Sequence, residues 1–126
     1  LWTRRANRAK LNAVDFYAII LAAGKGRRMK NEAVPDAFPK VLSSVLGRPM
    51  IAYVIDALTS AGIADISVIV GFGAEHVMQA LGEGWHYIVQ RRQLGSGHAV
   101  ACAKEALGGR GGHAIVMCGD SPLFTG

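Results

Sequence analysis

The sequence predicts an α/β fold, a parallel sheet with helices packed against it. Three observations carry that prediction. Apolar runs rich in Val and Ile alternate with helical patterns in the order β-α-β-α-β-α-β. Three of the four runs show little polar alternation, as expected of strands covered on both faces. The first run, Phe16 to Leu21, drives straight into Ala22-Ala23-Gly24-Lys25-Gly26-Arg27-Arg28-Met29-Lys30, a glycine-opened turn crowded with cations.

Taken in order, strands are predicted over Asp15 to Leu21, Ile66 to Gly71, Tyr87 to Gln90 and His113 to Cys118. Helices are predicted over Met50 to Ala61, Ala74 to Leu81 and Ser96 to Leu107, each closed by glycine. The first helix places Ile51, Val54, Ile55 and Leu58 on one face, with Pro49 at its start and Gly62 past its end. Asn31 to Lys40 reads as a long irregular loop, because Pro35 and Pro39 bar a helix there. Its effect is to carry Lys40 back toward the sheet. Gly108, Gly109, Gly111 and Gly112 read as a helix-to-strand connection.

The bulk numbers narrow the class. The chain has 126 residues, 51% of them hydrophobic, enough for one domain or a piece of one with a real core. The formal charge is +5, but Arg4, Arg5, Arg8 and Lys10 fall in a basic tail, residues 1–12, ahead of a nearly neutral body. That body lacks the basic face of a nucleic-acid module, and aromatic residues are few. No membrane span is expected, since no apolar run approaches ~18 residues. The first residue is Leu, which fits an unusual start or a fragment. A signal peptide is not expected, because Asp15 interrupts the early apolar stretch and the run is needed as a strand. Cys102 and Cys118 have no metal or redox spacing and read as buried thiols of a cytoplasmic protein. His76, His86 and His113 are scattered and form no metal set.

In open α/β sheets, ligands sit at the carboxyl ends of the strands. Gly24 to Lys30, Gln90 to Gly97 and Gly119-Asp120 all fall at such ends and would line one crevice. Glycines let a backbone approach a ligand and aim its N–H groups, and Lys and Arg hold phosphate. A plain βα turn with exposed cations is the bland alternative. Neither phosphate-loop fingerprint fits. The Walker spacing is absent, and the third glycine of a dinucleotide turn is replaced by Met29 after Gly24 and Gly26, and by His76 after Gly71 and Gly73. Ser96 reads as a helix N-cap between Gly95 and Gly97, or the three as a simple tight turn. Gln90 can read a planar base edge with a donor and an acceptor together. Asp120 suits Mg²⁺, or alternatively caps a turn. His98 reads as facing the crevice wall or packing in its helix rather than as a base.

These pieces resemble the sugar-1-phosphate nucleotidyltransferases. The matching stretches are LAAGKGRRMK, FPKVL, GRPMIAYVIDAL, QLGSGHAV and CGDSPL, in family order across nearly the whole chain beyond the tail. QLGSGHAV points to the uridylyl branch, the pyrophosphorylase part of the bacterial bifunctional UDP-N-acetylglucosamine pyrophosphorylase/glucosamine-1-phosphate acetyltransferases. The resemblance implies a Rossmann-like sheet of the nucleotide-diphospho-sugar transferase type. Residues 13–126 would be the N-terminal part of such a domain, cut after its fourth strand. It also implies a cytoplasmic enzyme of peptidoglycan precursor synthesis that joins UTP to N-acetylglucosamine 1-phosphate with Mg²⁺ and releases pyrophosphate.

By the same resemblance Leu21, Ala22, Ala23 and Gly24, followed by Lys25 and Gly26, would lie along the nucleotide, with Cys118 and Gly119 beside it. Arg28 and Lys40 would act catalytically on the phosphates. Gln90, Gly95 and Ser96 would contact the uracil, and Asp120 would hold the metal. Arg27 and Ser96 stand where the family usually has Thr, and Cys118 where it often has Tyr. The segment from Asn31 to Phe38 is longer than usual. The resemblance carries over no oligomeric state. A transferase for another base or sugar, or a non-catalytic nucleotide-binding module, is the alternative reading.

Overall fold

A computed structural model of the chain describes residues 15–25 and 38–123. Strand β1 spans Phe16–Ala22. A 3-10 turn at Lys40–Leu42 then leads into a short hairpin of β2, Ser44–Val45, and β3, Arg48–Pro49. There follow α1 (Met50–Ser60), β4 (Ile66–Val70), α2 (Ala74–Leu81), β5 (His86–Val89), α3 (Ser96–Ala106) and β6 (His113–Cys118). The order β5-β4-β1-β6 forms one parallel sheet, as the alternation of strands and helices predicts.

The chain goes from β1 outward to β4 and β5, then returns to place β6 on the other flank of β1. The direction of winding therefore reverses between β1 and β6, the kind of place where open α/β sheets bind ligands. Register brings the strand exits level. Ala22 pairs with Val70, Val70 with Val89, and Leu21 with Cys118.

Side-chain alternation along β1 splits the core in two. Ala18, Ile20 and Ala22 face a cluster with Val54, Leu58 and Val77 from α1 and α2, while Ile19 and Ala23 face Ala99 and Ala103 of α3. Every residue of β4 is buried, Ser67 included, which explains why the run is otherwise apolar. The predicted face of α1 is the buried one, joined by Met50. Burying each such aliphatic side chain contributes about 1.5–3 kcal/mol over leaving it in water. Gly62 follows the helix at φ +86°, a conformation side chains resist. At the sheet's other end, Arg110 pairs with Asp65 and lies over the Tyr17 ring. That hydrogen bond holds the Arg110 guanidinium still more firmly in its charged form.

Four expectations change. Strand β6 is not covered on both faces: Ile115 and Met117 pack inward, but Ala114, Val116 and Cys118 are exposed. They alternate onto the side where α3 packs over β1, β4 and β5. Cys118 is therefore an exposed thiol and Cys102 a half-buried one. Ser96 is the first helical residue of α3 rather than its cap, and the cap position belongs to Gly95 with no side-chain bond. The hairpin Ser44–Pro49 was not foreseen; Leu46 and Gly47 turn it with φ of 49° and 80°, and Tyr53 fastens it to α1 through a 2.7 Å bond to the Val45 carbonyl. The strands otherwise lie within a residue of their predicted bounds.

Candidate functional site

The site is built where β1, β5 and β6 end. Leaving β1, Ala22 and Ala23 stay buried because their small side chains fit the sheet layers, and Gly24 and Lys25 emerge into solvent. The Ala23 carbonyl accepts the Phe72 N–H at 3.3 Å, tying this exit to the turn after β4. Lys25 Nζ sits 5.4 Å from the centre of the Phe72 ring, a cation–π contact that holds the ammonium at the mouth of the turn. Gly26 and Arg28 lie outside the described residues, as do Arg27, Met29, Lys30 and most of the loop containing Pro35.

Lys40 and Asp120 meet. Lys40 Nζ donates to the Asp120 carboxylate at 2.9 Å, across 80 positions of sequence. Apolar anchors on both sides of Lys40 make this possible: Pro39, Val41 and Leu42 are all buried. Opposite them, the Gly119 N–H continues the sheet by donating to the Leu21 carbonyl at 2.9 Å. A methyl on Gly119 would stand 3.0 Å from Val41 Cγ1 and 3.1 Å from the Leu21 carbonyl, so only glycine lets the β6 exit close against that turn. Lys40 does lie back at the sheet, beside the reversal in strand order. A lysine and a carboxylate here can hold a polyanion and a hard cation respectively. Among the described residues no three of His, Cys, Asp and Glu gather.

Across the crevice, Gln90 continues β5, its N–H bonded to the Val70 carbonyl at 2.7 Å. Its side chain is 4% exposed and turned onto the following loop. Nε2 donates to the Gly95 carbonyl at 3.2 Å and to His98 Nδ1 at 2.9 Å. The expectation that Gln90 offers a donor and an acceptor together is therefore corrected: both amide hydrogens are engaged within the protein, leaving the Oε1 acceptor. Gly95 adopts φ +94° with ψ 178°, a backbone essentially reserved for glycine. Ser96 is exposed beside it, with its hydroxyl free of any capping bond.

Two residues central to this geometry escaped the sequence reading of the site. His98 was left against the wall, yet it grips Gln90. Gly71 was weighed only as part of a dinucleotide fingerprint. A methyl at Gly71 would lie 2.5 Å from Gln93 Nε2 and 3.0 Å from both Ala23 Cβ and the Gln90 carbonyl. It is the point where the exits of β1 and β5 pass each other. The signal for it was the glycine immediately after the mostly apolar β4.

Comparison with known proteins bears on the fold and the family. Two bacterial proteins named bifunctional protein GlmU are similar to the chain: one from Halalkalibacterium halodurans, 50% identical over 109 residues, and one from Enterococcus faecalis, 48% identical over 109 residues. Each alignment takes in 86% of this chain but only 23% of the relative, so the chain spans about a quarter of their length. Among solved structures, a Bacillus anthracis protein assigned as a glucose-1-phosphate thymidylyltransferase superposes with TM-score 0.73 at 27% identity, covering 84% of this chain and 44% of that one. A Methanothermobacter nucleotidyl transferase shares the fold at TM-score 0.70 and 23% identity, over 87% of this chain and 52% of its own. The family model of the MobA-like NTP transferase domain matches residues 18–126, which take in every strand exit described above. By sheet order, by site placement and by that match, the chain belongs to the MobA-like NTP transferase domain family.

Proposed function

We propose that the chain binds UTP and serves the transfer of its uridylyl group to N-acetylglucosamine 1-phosphate, giving UDP-N-acetylglucosamine and pyrophosphate. The observation that carries this reading is the meeting of Lys40 and Asp120 at the winding reversal, facing an acceptor-bearing Gln90 across the same crevice. Phosphate chemistry is thereby paired with a base-reading group at opposite ends of one strand-exit surface. The high identity to GlmU proteins supports the choice of base and sugar.

The reaction needs little covalent help from the protein. An anionic oxygen of the sugar phosphate attacks the α-phosphorus of UTP, a new P–O bond forms, and the bond to the bridging oxygen of the β-phosphate breaks to release pyrophosphate. A phosphate monoester loses its second proton at a pKa of about 6, so the nucleophile is already charged near neutral pH and no general base is required. The work left is alignment and charge neutralisation. Lys40 and Lys25 supply positive charge at the exits of β6 and β1, and Arg28 is proposed to add to it. A carboxylate suits Mg²⁺, which keeps waters and binds through one or two carboxylates together with substrate phosphates, and Asp120 is the residue to hold it. That ion, when bound, would offset the charge of the triphosphate. Lys40 is then free to move from the carboxylate to a phosphate oxygen.

A thermal melt of this chain with Mg²⁺ and a panel of UTP, dTTP, CTP, GTP and NAD tests the reading. A ligand at ~100 times its dissociation constant adds about 2.7 kcal/mol. UTP is expected to raise the melt well above the other nucleotides. Indifference to all of them would overturn the proposal.

A further inference from the structure

Gln90 is a buried polar side chain whose orientation is fixed by logic as well as by distance. The Gly95 carbonyl, 3.2 Å away, can only accept, so the amide end facing it is the NH₂. The same Nε2 lies 2.9 Å from His98 Nδ1. Its second hydrogen points there, which makes Nδ1 a bare acceptor and puts the ring proton on Nε2. The imidazole contact is the shorter of the two, and the Gly95 carbonyl is shared with the Ala99 N–H at 3.1 Å. Oε1 has no hydrogen-bond partner among the described residues, and none of their fully buried side-chain polar atoms is left unpaired, so Oε1 keeps some contact with solvent.

We propose that His98 is a positioning residue for base choice. By accepting from Gln90 it holds the amide so that an acceptor, and not a donor, faces the nucleobase. This rests on the reading of the crevice as a UTP site. An acceptor at that place pairs with the imide N3–H of uracil and opposes the bare N3 of cytosine. The other groups facing the ring are Cys102 Sγ at 3.9 Å on the same helix, Glu105 one turn further, and Arg91 and Arg92 from the loop after β5, which share a cavity with it.

The test measures dissociation constants of Mg·UTP and Mg·CTP by calorimetry at pH 7.5 for the parent chain, His98→Ala and His98→Asn. The parent is expected to prefer UTP. In His98→Ala that preference is expected to fall about tenfold, the size of one misplaced hydrogen bond. His98→Asn, whose Oδ1 accepts in place of Nδ1, is expected to keep it, which also separates His98 from Glu105 and Cys102. An unchanged ratio in His98→Ala would overturn the role of His98 alone, whereas absence of binding by every nucleotide would overturn the UTP reading and this inference with it. A nucleotide-free check is the ¹⁵N spectrum of the imidazole at pH 7.5. A proton on Nε2 supports the arrangement, and a proton on Nδ1 overturns it even if His98→Ala does not fold.

Discussion

The two ends of the crevice are held by different physics. At the end proposed to hold phosphate, Lys40 rides between buried Pro39 and Val41, and Asp120 follows a glycine wedged against Val41 and the Leu21 carbonyl. At the end proposed to read the base, residues 91–97 are all exposed, and the geometry rests on two hydrogen bonds from Gln90 and on the backbone of Gly95. The charged end therefore borrows its order from the core, while the base-reading end carries its own. Substitutions that disturb packing should act on the first, and those that disturb polarity or backbone conformation on the second.

The largest effect is expected at Gly71, where the exits of β1 and β5 pass each other. Gly71→Val places branched carbons against Ala23 and the Gln90 carbonyl, where even a methyl is too close. Overpacking of this kind sits near the top of its usual range, about 3 kcal/mol. A chemical-denaturation midpoint equal to the parent's would show that the two exits are not coupled through this glycine. Gly95→Ala comes next, because φ +94° with ψ 178° is hostile to any side chain and costs about 2 kcal/mol. Its mark is selective: affinity for UTP falls toward that for CTP, while the requirement for Mg²⁺ stays. Loss of Mg²⁺ dependence in this variant would break the separation between the ends.

Asp120→Asn should show the reverse pattern. The Lys40–Asp120 pair is 37% and 34% exposed at its two side chains, so solvent screening leaves it worth less than about 1 kcal/mol of stability. The melt of the free chain should hardly move. Removing the charge is expected to flatten the Mg²⁺ titration of UTP binding and weaken UTP and CTP about equally, roughly tenfold or about 1.4 kcal/mol. A Mg²⁺ titration that matches the parent's would remove Asp120 as the cation's ligand.

Much of this framework was legible from residues alone. The mostly apolar β4, the face of α1 and the glycines past the helices announce themselves, because each is a local pattern answering to a local constraint. The placement of Lys40 was legible too, since two prolines forbid a helix and the chain must return to the sheet. What could not be read depends on neighbours distant in sequence. The open face of β6 is set by where α3 comes to rest, and the same Val-Ile run would suit a covered strand. The hairpin Ser44–Pro49 hid because Leu46-Gly47 is not the Asn-Gly or Asp-Gly that marks such turns, and because a proline ends its second strand. The grip of His98 on Gln90 was hidden for another reason. Eight residues apart, they meet only because Gly95 turns the chain back into α3.

The smallest effect separates the two glycines of that turn. Sequence alone treats Gly95 and Gly97 alike, as places where a backbone comes close to a ligand. In the folded chain a methyl on Gly97 meets no atom within 4 Å among the described residues, and the residue lies in the first turn of α3 with no positive φ. Glycine in a helix costs up to about 1 kcal/mol relative to alanine, so Gly97→Ala is expected to raise the free chain's stability by about 0.5 kcal/mol. The UTP dissociation constant should stay within twofold of the parent's. Both can be read from one melt with and without nucleotide. If stability rises but the UTP-induced shift shrinks, the space beside Gly97 belongs to the bound nucleotide, and the base-reading end extends one residue further into the helix than the hydrogen bonds of Gln90 define.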